Sequence, residues 1–203
     1  MKKYAVLHEP GDIVTLAGTR FVVLDVERRG SLPDSLFLLA LESVGASEFG
    51  SSNNYAESDL KKAVDKWLED MGKRGLDNAK LIPREIDLTT LDGSGCYGKL
   101  SVKAAPLTLD EAREYADIIP NAERWCWLAT GWSGPSKSDG DLALFVYSNG
   151  GWNRDYCSHS YGIRPALKIP SDLLLDSADK PDLSEVPTDT LLEEIRRRVV
   201  DKA

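Results

Sequence analysis

The segment between residues 127 and 161 carries the side chains that could bind a ligand, because it interleaves aromatic rings with amides, hydroxyls and charged groups. Flat aromatic faces pack over sugar C–H groups, and tryptophan, tyrosine and arginine are also the usual anchors of protein interfaces. These residue types predict a site for a carbohydrate or for a protein surface. The predicted ligand-binding residues are Trp132, Ser133, Tyr147, Asn149, Asn153, Arg154, Asp155, Tyr156 and His159.

Several tryptophans are expected to be structural instead. Four of the five tryptophans fall between residues 125 and 152, and a large ring within or beside a strand is more often packed than exposed. Trp132 is the better surface candidate because glycine and serine flank it, and Arg154 and Tyr156 join it further along the chain. The tryptophans predicted to be structural are Trp67, Trp125, Trp127 and Trp152.

A calcium site is the weaker alternative to a site without a cofactor. The run Trp-Asn-Arg-Asp at 152–155 is similar to the Trp-Asn-Asp of calcium-dependent sugar-binding lectins. Asn and Asp oxygens suit a hard cation that takes about six to eight oxygen ligands. An arginine interrupts the run, however, and no Glu-Pro-Asn or Gln-Pro-Asp accompanies it. The sequence therefore predicts no cofactor.

A catalytic nucleophile is also disfavoured. Cys157 and His159 would share one face of an extended strand, but a nucleophile needs its base within hydrogen-bond reach and a third group to orient that base. The sequence shows no such third group and no phosphate-binding Gly-rich loop. Cys96, Cys126 and Cys157 form no Cys-x-x-Cys pair, which predicts free thiols, with a bridge between Cys126 and Cys157 as the alternative.

Composition predicts a globular protein with one sizeable core, since the 203 residues are 42% hydrophobic and 29% charged. The net charge of -8 argues against nucleic acid and anionic membrane as partners, because both require a basic face. No apolar run is long enough to span a bilayer, and Glu9 interrupts the short apolar stretch near the start. We therefore expect no nucleic-acid partner, no membrane insertion, no signal peptide and no transmembrane segment.

Short apolar runs predict strands in the first and last thirds of the sequence. Residues 13–16, 21–26 and 36–41 are rich in Val, Phe and Leu and predict an antiparallel meander. Residues 142–146 are apolar at every position, as in a strand buried on both faces, and residues 163–169 alternate as in a half-buried strand. A proline at position 165 predicts an edge or a bulge there.

Two helices are predicted between these strands. Ser58 can cap the first helix, and Thr108 with Glu111 forms a capping box for a second helix that should stop by Pro120. Residues 77–105 are predicted to be irregular with at most short strands. These elements together predict an α+β fold. The apolar stripe of the first helix comprises Leu60, Val64, Trp67, Leu68 and Met71.

The C-terminal part is predicted to be separate from a domain of residues 1–169. Residues 170–187 are rich in Asp, Ser and Pro, which predicts an acidic linker. Residues 188–203 contain a capping box at Thr190 and Glu193 and an apolar stripe, which predict a C-terminal helix. Because so short a helix needs a surface to bury its stripe, it either folds back on its own domain or docks on a partner or a second copy of the chain.

Three motifs occur in order along residues 11–169: Gly-Asp-Ile-Val from residue 11, the polar run at 53–60 leading to Trp-Leu at 67–68, and Tyr-Gly-Ile-Arg-Pro-Ala-Leu at 161–167. They resemble an uncharacterised bacterial and phage domain family with a C-type-lectin-like fold of the type found in formylglycine-generating enzymes. The resemblance implies antiparallel sheets, two main helices, long loops, and a buried, paired structural arginine at Arg164. Family members read Trp-Leu-Arg-Ser-Pro where this chain has Trp-Leu-Ala-Thr-Gly at 127–131, so the following loop is expected to differ in shape and ligand.

The resemblance implies the fold more than the function, because lectin-like scaffolds carry unrelated activities. Phages and their hosts present variable loops on this scaffold as receptor-binding surfaces, and the chain lacks the late cysteine pair of the formylglycine-generating relatives. The expected function is a non-catalytic binding module for a glycan or protein surface, acting through residues 127–161, in a cytoplasmic or virion-associated protein. The alternative is an intracellular interaction or assembly protein that docks through residues 188–203, and an enzyme is the weak third option.

Overall fold

The computed structural model describes residues 2–4, 8–29, 32–135 and 139–177, which form a mixed α+β fold of mostly antiparallel sheets with two α-helices. The helices are α1 (Asp59–Lys73) and α2 (Leu109–Glu114), and a single 3-10 turn covers Tyr55–Glu57. The strands are β1 (Lys2–Tyr4), β2 (Ile13–Leu16), β3 (Thr19–Arg29), β4 (Leu32–Ala40), β5 (Ala46–Glu48), β6 (Arg84–Asp87), β7 (Lys99–Val102), β8 (Ala104–Ala105), β9 (Cys126–Gly131), β10 (Leu142–Val146), β11 (Trp152–Tyr156), β12 (Ser160–Gly162), β13 (Ala166–Pro170) and β14 (Leu174–Ser177).

The larger sheet has seven strands in the order β1-β14-β2-β3-β4-β13-β8, and its neighbouring strands are antiparallel. The meander predicted from the early apolar runs is confirmed as β2, β3 and β4, although β3 and β4 are longer than predicted. Phe21 and Val23 on β3 join one core cluster, whereas Val22 and Leu24 join the other. Because both faces of this sheet are covered, its central strands are apolar at consecutive positions.

The last described strand corrects the predicted domain boundary. β14 pairs with β1 on one side and with β2 on the other, so the sheet continues to Ser177. The predicted linker of residues 170–187 therefore begins too early. Pairing with β14 satisfies backbone groups of β1 and β2 that would otherwise lack partners. Residues 178–203 lie outside the described residues, so the predicted helix at 188–203 stays a prediction.

Helix α1 forms where its apolar stripe predicts it. The Ser58 hydroxyl accepts a hydrogen bond from the Lys61 amide at 2.9 Å and caps the helix. Leu60, Val64 and Met71 are buried in the core beneath the larger sheet. Trp67 is partly buried and packs against the core, with its ring centroid 6.3 Å from that of Phe21. The helix thus covers one face of the sheet.

Helix α2 begins at the predicted capping box. The Thr108 hydroxyl accepts from the Glu111 amide at 3.2 Å, and the Glu111 carboxylate accepts from the Thr108 amide at 2.8 Å. The helix ends at Glu114, within the limit set by Pro120. Its Leu109 packs in the second core cluster. Of the helices in the described part of the chain, neither combines the length and hydropathy needed to cross a membrane.

The smaller sheet positions most of the predicted site residues. Its five strands have the order β11-β10-β9-β12-β5. The prediction that residues 142–146 are buried on both faces is confirmed at the centre of β10, where Ala143 and Phe145 join one core cluster and Leu144 joins the other. The closing motif at 161–167 divides between β12 in this sheet and β13 in the larger one. Arg164 therefore lies in the link between two strands rather than in a closing strand. Pro165 lies in the same link, before β13 begins, so it is outside the strand in which an edge or a bulge was predicted.

Candidate functional site

The β10–β11 hairpin divides the predicted site residues between two faces. Successive residues of a strand point to opposite sides of a sheet. Trp152, Arg154 and Tyr156 therefore lie on one face of β11, while Asn153 and Asp155 lie on the other. The predicted single group of ligand-binding residues is thus two groups, and each contacts a different part of the protein.

The first group contains three aromatic rings and two arginines. The Arg154 guanidinium lies 3.9 Å from the centroid of the Trp132 ring, and the Arg113 guanidinium lies 5.3 Å from that of Trp152. Cations over an aromatic ring are attracted by the negative face of the ring. We call this surface the Trp–Arg face, and it comprises Arg113, Trp132, Trp152, Arg154 and Tyr156.

Two tryptophans predicted to be structural are exposed. Trp152 is 43% exposed and Trp125 is 42% exposed. Trp152 lies on β11, which is the edge strand among the described strands of its sheet, so no neighbouring strand covers it. Trp125 precedes β9 and stacks on Phe145 with a centroid distance of 5.3 Å, which covers only part of its ring. Trp127, by contrast, is only 1% exposed and lies in the core.

The second group is a hydrogen-bonded network around Asp155. The Tyr161 hydroxyl donates to Asp155 Oδ2, and His159 Nδ1 lies 2.9 Å from the same oxygen. The Asn153 side-chain amide donates to the Tyr147 hydroxyl at 2.8 Å. Burial alone would raise the pKa of Asp155, but the hydrogen bonds from Tyr161, His159 and the Tyr156 amide outweigh it and lower that pKa.

Asp155→Asn should lower the free energy of unfolding by about 1–2 kcal/mol at pH 5, because it removes a carboxylate that several donors stabilise. The folded carboxyl titrates below the ordinary Asp pKa of about 3.9, so its stabilisation is present above that value and is lost as pH falls through the folded pKa. Urea unfolding at pH 5 and pH 3 should therefore show a smaller difference from the wild type at pH 3. Asp139→Asn, at an exposed carboxylate, is the control, and an equal difference at both pH values would contradict the prediction.

Two backbone amides of β11 are occupied by neighbouring side chains. The Arg154 amide donates to Asn153 Oδ1 at 2.9 Å, and the Tyr156 amide donates to Asp155 Oδ1 at 2.8 Å. The oxygens that a calcium-lectin site would use therefore already accept hydrogen bonds within the strand. Within the described residues, no group of three or more His, Cys, Asp or Glu side chains is arranged to hold a metal ion.

Ser133 is placed differently from the prediction. It is only 2% exposed, because the loop after β9 packs closely against neighbouring segments, so its side chain cannot meet an external ligand. A Cβ atom added at Gly134 would lie 2.7 Å from Ser94 Oγ, which shows how tight that packing is. The Ser133 carbonyl accepts a hydrogen bond from the buried Asn53 side chain at 2.8 Å. Asn53 thereby fixes the loop that carries Trp132.

Tyr147 and Asn149 border a cavity of about 430 Å³ between α2, the segment that follows it and the smaller sheet. Asn149 is exposed at the hairpin turn, where its Oδ1 accepts from the Gly151 amide at 3.1 Å. Gly150 has a φ of 86°, a left-handed conformation that the turn requires and that glycine adopts without strain. The cavity lies beside the Trp–Arg face because Arg113 and Trp152 belong to both.

Arg164 also lines this cavity and is only 7% exposed. Its Nε donates to the Ala40 carbonyl at 3.0 Å and its Nη1 donates to the Pro120 carbonyl at 3.2 Å. The expected burial of this arginine is found, but it donates to these two carbonyl groups rather than to a carboxylate. Burial lowers the pKa of its guanidinium, with smaller opposing contributions from Cys126 and Glu42.

Cys157 lacks the properties of an activated nucleophile. Its thiol is buried, and burial, with a contribution from the Asp141 charge, raises its pKa to about 12. His159 contacts Asp155, which is the orienting carboxylate that sequence reasoning did not find. A thiol with a raised pKa carries little thiolate at neutral pH. The three cysteines are unbridged, with Cys96 exposed and Cys126 buried.

Comparisons with protein-family models, with curated proteins and with solved structures find no match to this chain. The interpretation of the site therefore rests on its own residues. Sequence reasoning missed Arg113, Asn53 and the exposure of Trp125 and Trp152. Arg113 could have been suspected from its place on a helix that precedes the predicted aromatic site, whereas the others depend on contacts between distant segments.

Proposed function

We propose that this chain is a non-catalytic binding module, on a C-type-lectin-like scaffold, that recognises a protein surface through the Trp–Arg face. The observation that carries the proposal is the exposure of Trp152, Arg154 and Tyr156 on one face of an edge strand, where Tyr156 is 54% exposed. Tryptophan, arginine and tyrosine are the residues that contribute most binding energy at protein interfaces. The order of the sequence motifs and the antiparallel α+β architecture support the scaffold assignment.

A protein partner fits this face better than a glycan does. The guanidinium groups of Arg154 and Arg113 lie over the rings of Trp132 and Trp152, so these rings have less free area for a sugar to stack on. The polar groups opposite them, Asn153 and Asp155, are already hydrogen-bonded within the protein. The two arginines favour a partner that presents carboxylates beside apolar side chains.

Selection from a random dodecapeptide display library on the immobilised protein tests the proposal. Enriched peptides should combine acidic with aromatic or aliphatic residues, and Arg154→Ala and Tyr156→Ala should each weaken their binding at least about tenfold. Melting temperatures should change little, because both side chains are exposed. Arg124→Ala, at an exposed arginine outside the face, is the matched control.

The same proteins on a glycan array separate the two ligand classes. Saturable glycan binding that survives Arg154→Ala but is lost in Trp125→Ala would contradict the proposal and assign a sugar site to the opposite side of the hairpin. Peptides that bind both Trp–Arg face variants as well as the wild type would also contradict it. Docking through residues 188–203 concerns a part of the chain outside the described residues and stays the alternative prediction.

A further inference from the structure

The cavity beside the Trp–Arg face has the properties of a site for a small molecule. Its volume of about 430 Å³ falls within the range of about 300–1,000 Å³ typical of ligand pockets. Its walls are mainly apolar and come from α2 and the segment after it on one side and from the smaller sheet on the other. The apolar lining residues include Leu39, Leu109, Ala112, Ile119, Leu128 and Val146.

One buried charged group, Arg164, interrupts this apolar lining. The Arg164 guanidinium is buried in the wall, and its Nη2 has no hydrogen-bond partner among the described residues. A buried N–H group without a partner is costly, and a buried cation without an anion is more so. The wall therefore contains an unused hydrogen-bond donor that carries positive charge.

Two ionisable groups, Cys126 and Glu42, act electrostatically on Arg164, but neither neutralises its charge. Cys126 lines the same cavity, but burial raises the pKa of its thiol to about 11, so it stays uncharged at neutral pH. Glu42 already forms a salt bridge with Arg20. The positive charge of Arg164 is thus available to a negatively charged group inside the cavity.

The mouth of the cavity is more polar than its walls. Arg113, Asn121, Asn149 and Trp152 line the cavity and are exposed, so they mark its open side. The hairpin turn closes on the opposite segment, since a Cβ atom at Gly150 would lie 3.6 Å from Asn121 Oδ1. A ligand that enters here meets amides and a ring first, then the apolar walls.

The geometry points to a binding site for a small carboxylate with an apolar body, whose carboxylate pairs with Arg164 while its body fills the cavity. A carboxylate is the complement of a guanidinium because it accepts charge-assisted hydrogen bonds from it. This site goes beyond the proposed function, since it requires no protein partner and its charged group, Arg164, is not part of the Trp–Arg face, although Arg113 and Trp152 border both.

Calorimetric titration with 4-phenylbutyrate and with the neutral 4-phenylbutanol tests the site. The acid should bind saturably and at least about tenfold more tightly than the alcohol, since the alcohol keeps the apolar body but lacks the charge. Arg164→Gln should remove this difference, and Ala112→Phe, which fills the cavity, should abolish binding of both probes. The controls are Arg28→Gln, at an exposed arginine, and Ala79→Phe, at an exposed alanine outside the cavity lining.

Four results would overturn the inference: no binding of the acid, equal binding of acid and alcohol by the wild type, an undiminished preference for the acid in a folded Arg164→Gln, or undiminished binding of the acid by Ala112→Phe. If Arg164→Gln does not fold, binding of the acid and the alcohol by the wild type, together with binding by Ala112→Phe, still tests the inference. Arg154→Ala and Tyr156→Ala should bind the acid normally, because neither residue lines the cavity. The site and the proposed protein interface can therefore fail independently.

Discussion

Arg84→Met is expected to lower the free energy of unfolding by about 3–5 kcal/mol, the largest effect of any substitution considered for this protein. Arg84 is buried and donates to the Glu111 carboxylate, and its Nη2 donates to the Ala105 and Pro106 carbonyls at 3.1 Å each. Its guanidinium also lies 5.1 Å from the centroid of the Phe37 ring. Methionine fills much of the same volume but leaves a carboxylate and two carbonyls without their donor.

The exposed pair between Lys99 and Glu85, with an N–O distance of 2.8 Å, provides the control. Lys99→Met should lower the free energy of unfolding far less than Arg84→Met does, because exposed pairs gain little over their hydration. Urea unfolding curves of both variants give the comparison. A similar, small loss in the two variants would contradict the view that Arg84 holds α2 against β6.

Arg84→Met is also expected to affect the cavity and the Trp–Arg face. Glu111 accepts from Arg84 and caps α2 at the same time, and α2 carries Arg113 and lines the cavity. Weakening the start of this helix should therefore loosen both the cavity and one end of the Trp–Arg face. Hydrogen exchange of residues 109–116 in Arg84→Met should be faster than in the wild type, measured at a urea concentration where both proteins are folded.

Asn53→Ala is expected to lower the free energy of unfolding by about 3 kcal/mol, the second largest effect, because it removes three hydrogen bonds made by a buried side chain. The Asn53 side-chain Nδ2 donates to the Ser133 and Leu142 carbonyls at 2.8 and 2.9 Å, and its Oδ1 accepts from the Tyr97 hydroxyl at 2.6 Å. These bonds join the segment before α1 to the loop after β9 and to β10. Alanine would leave two carbonyls without the donor and the Tyr97 hydroxyl without the acceptor that Asn53 provides.

The neighbouring Asn54 provides the control, because its Oδ1 accepts from the Ala56 amide at 3.2 Å at the edge of the 3-10 turn. Asn54→Ala should cost about 1 kcal/mol, as expected for a local cap. Thermal and urea unfolding measure both losses. Equal losses would contradict the central role of Asn53, whereas a large loss with faster hydrogen exchange in residues 131–135 would support it.

The fold could be predicted in large part because its signals are local. The stripe from Leu60 to Met71 and the capping box at Thr108 are readable within one or two turns, and both helices form there. The strands β2, β3, β4 and β10 follow from apolar runs in the same way. By contrast, β14 could not be predicted, because its pairing with β1 and β2 joins segments from opposite ends of the sequence.

The candidate site was harder to predict because exposure depends on tertiary contacts. Side chains alternate between the two faces of a strand, so a strand at 152–156 could have been used to divide the site residues between two faces. The edge position of β11, which exposes Trp152, depends on strand order. The cavity around Arg164 also needs α2, β4 and the smaller sheet together, and no short sequence pattern reports that arrangement.

The amides of β11 that donate to Asn153 and Asp155 determine how this edge can be recognised. An incoming strand would normally extend the sheet by pairing with the free backbone of its edge. At this edge it would first have to displace two side-chain oxygens that already accept the backbone donors. Trp152, Arg154 and Tyr156 are therefore exposed on a strand that is outermost among those described, yet two of its backbone donors are already occupied and less free to pair with another strand.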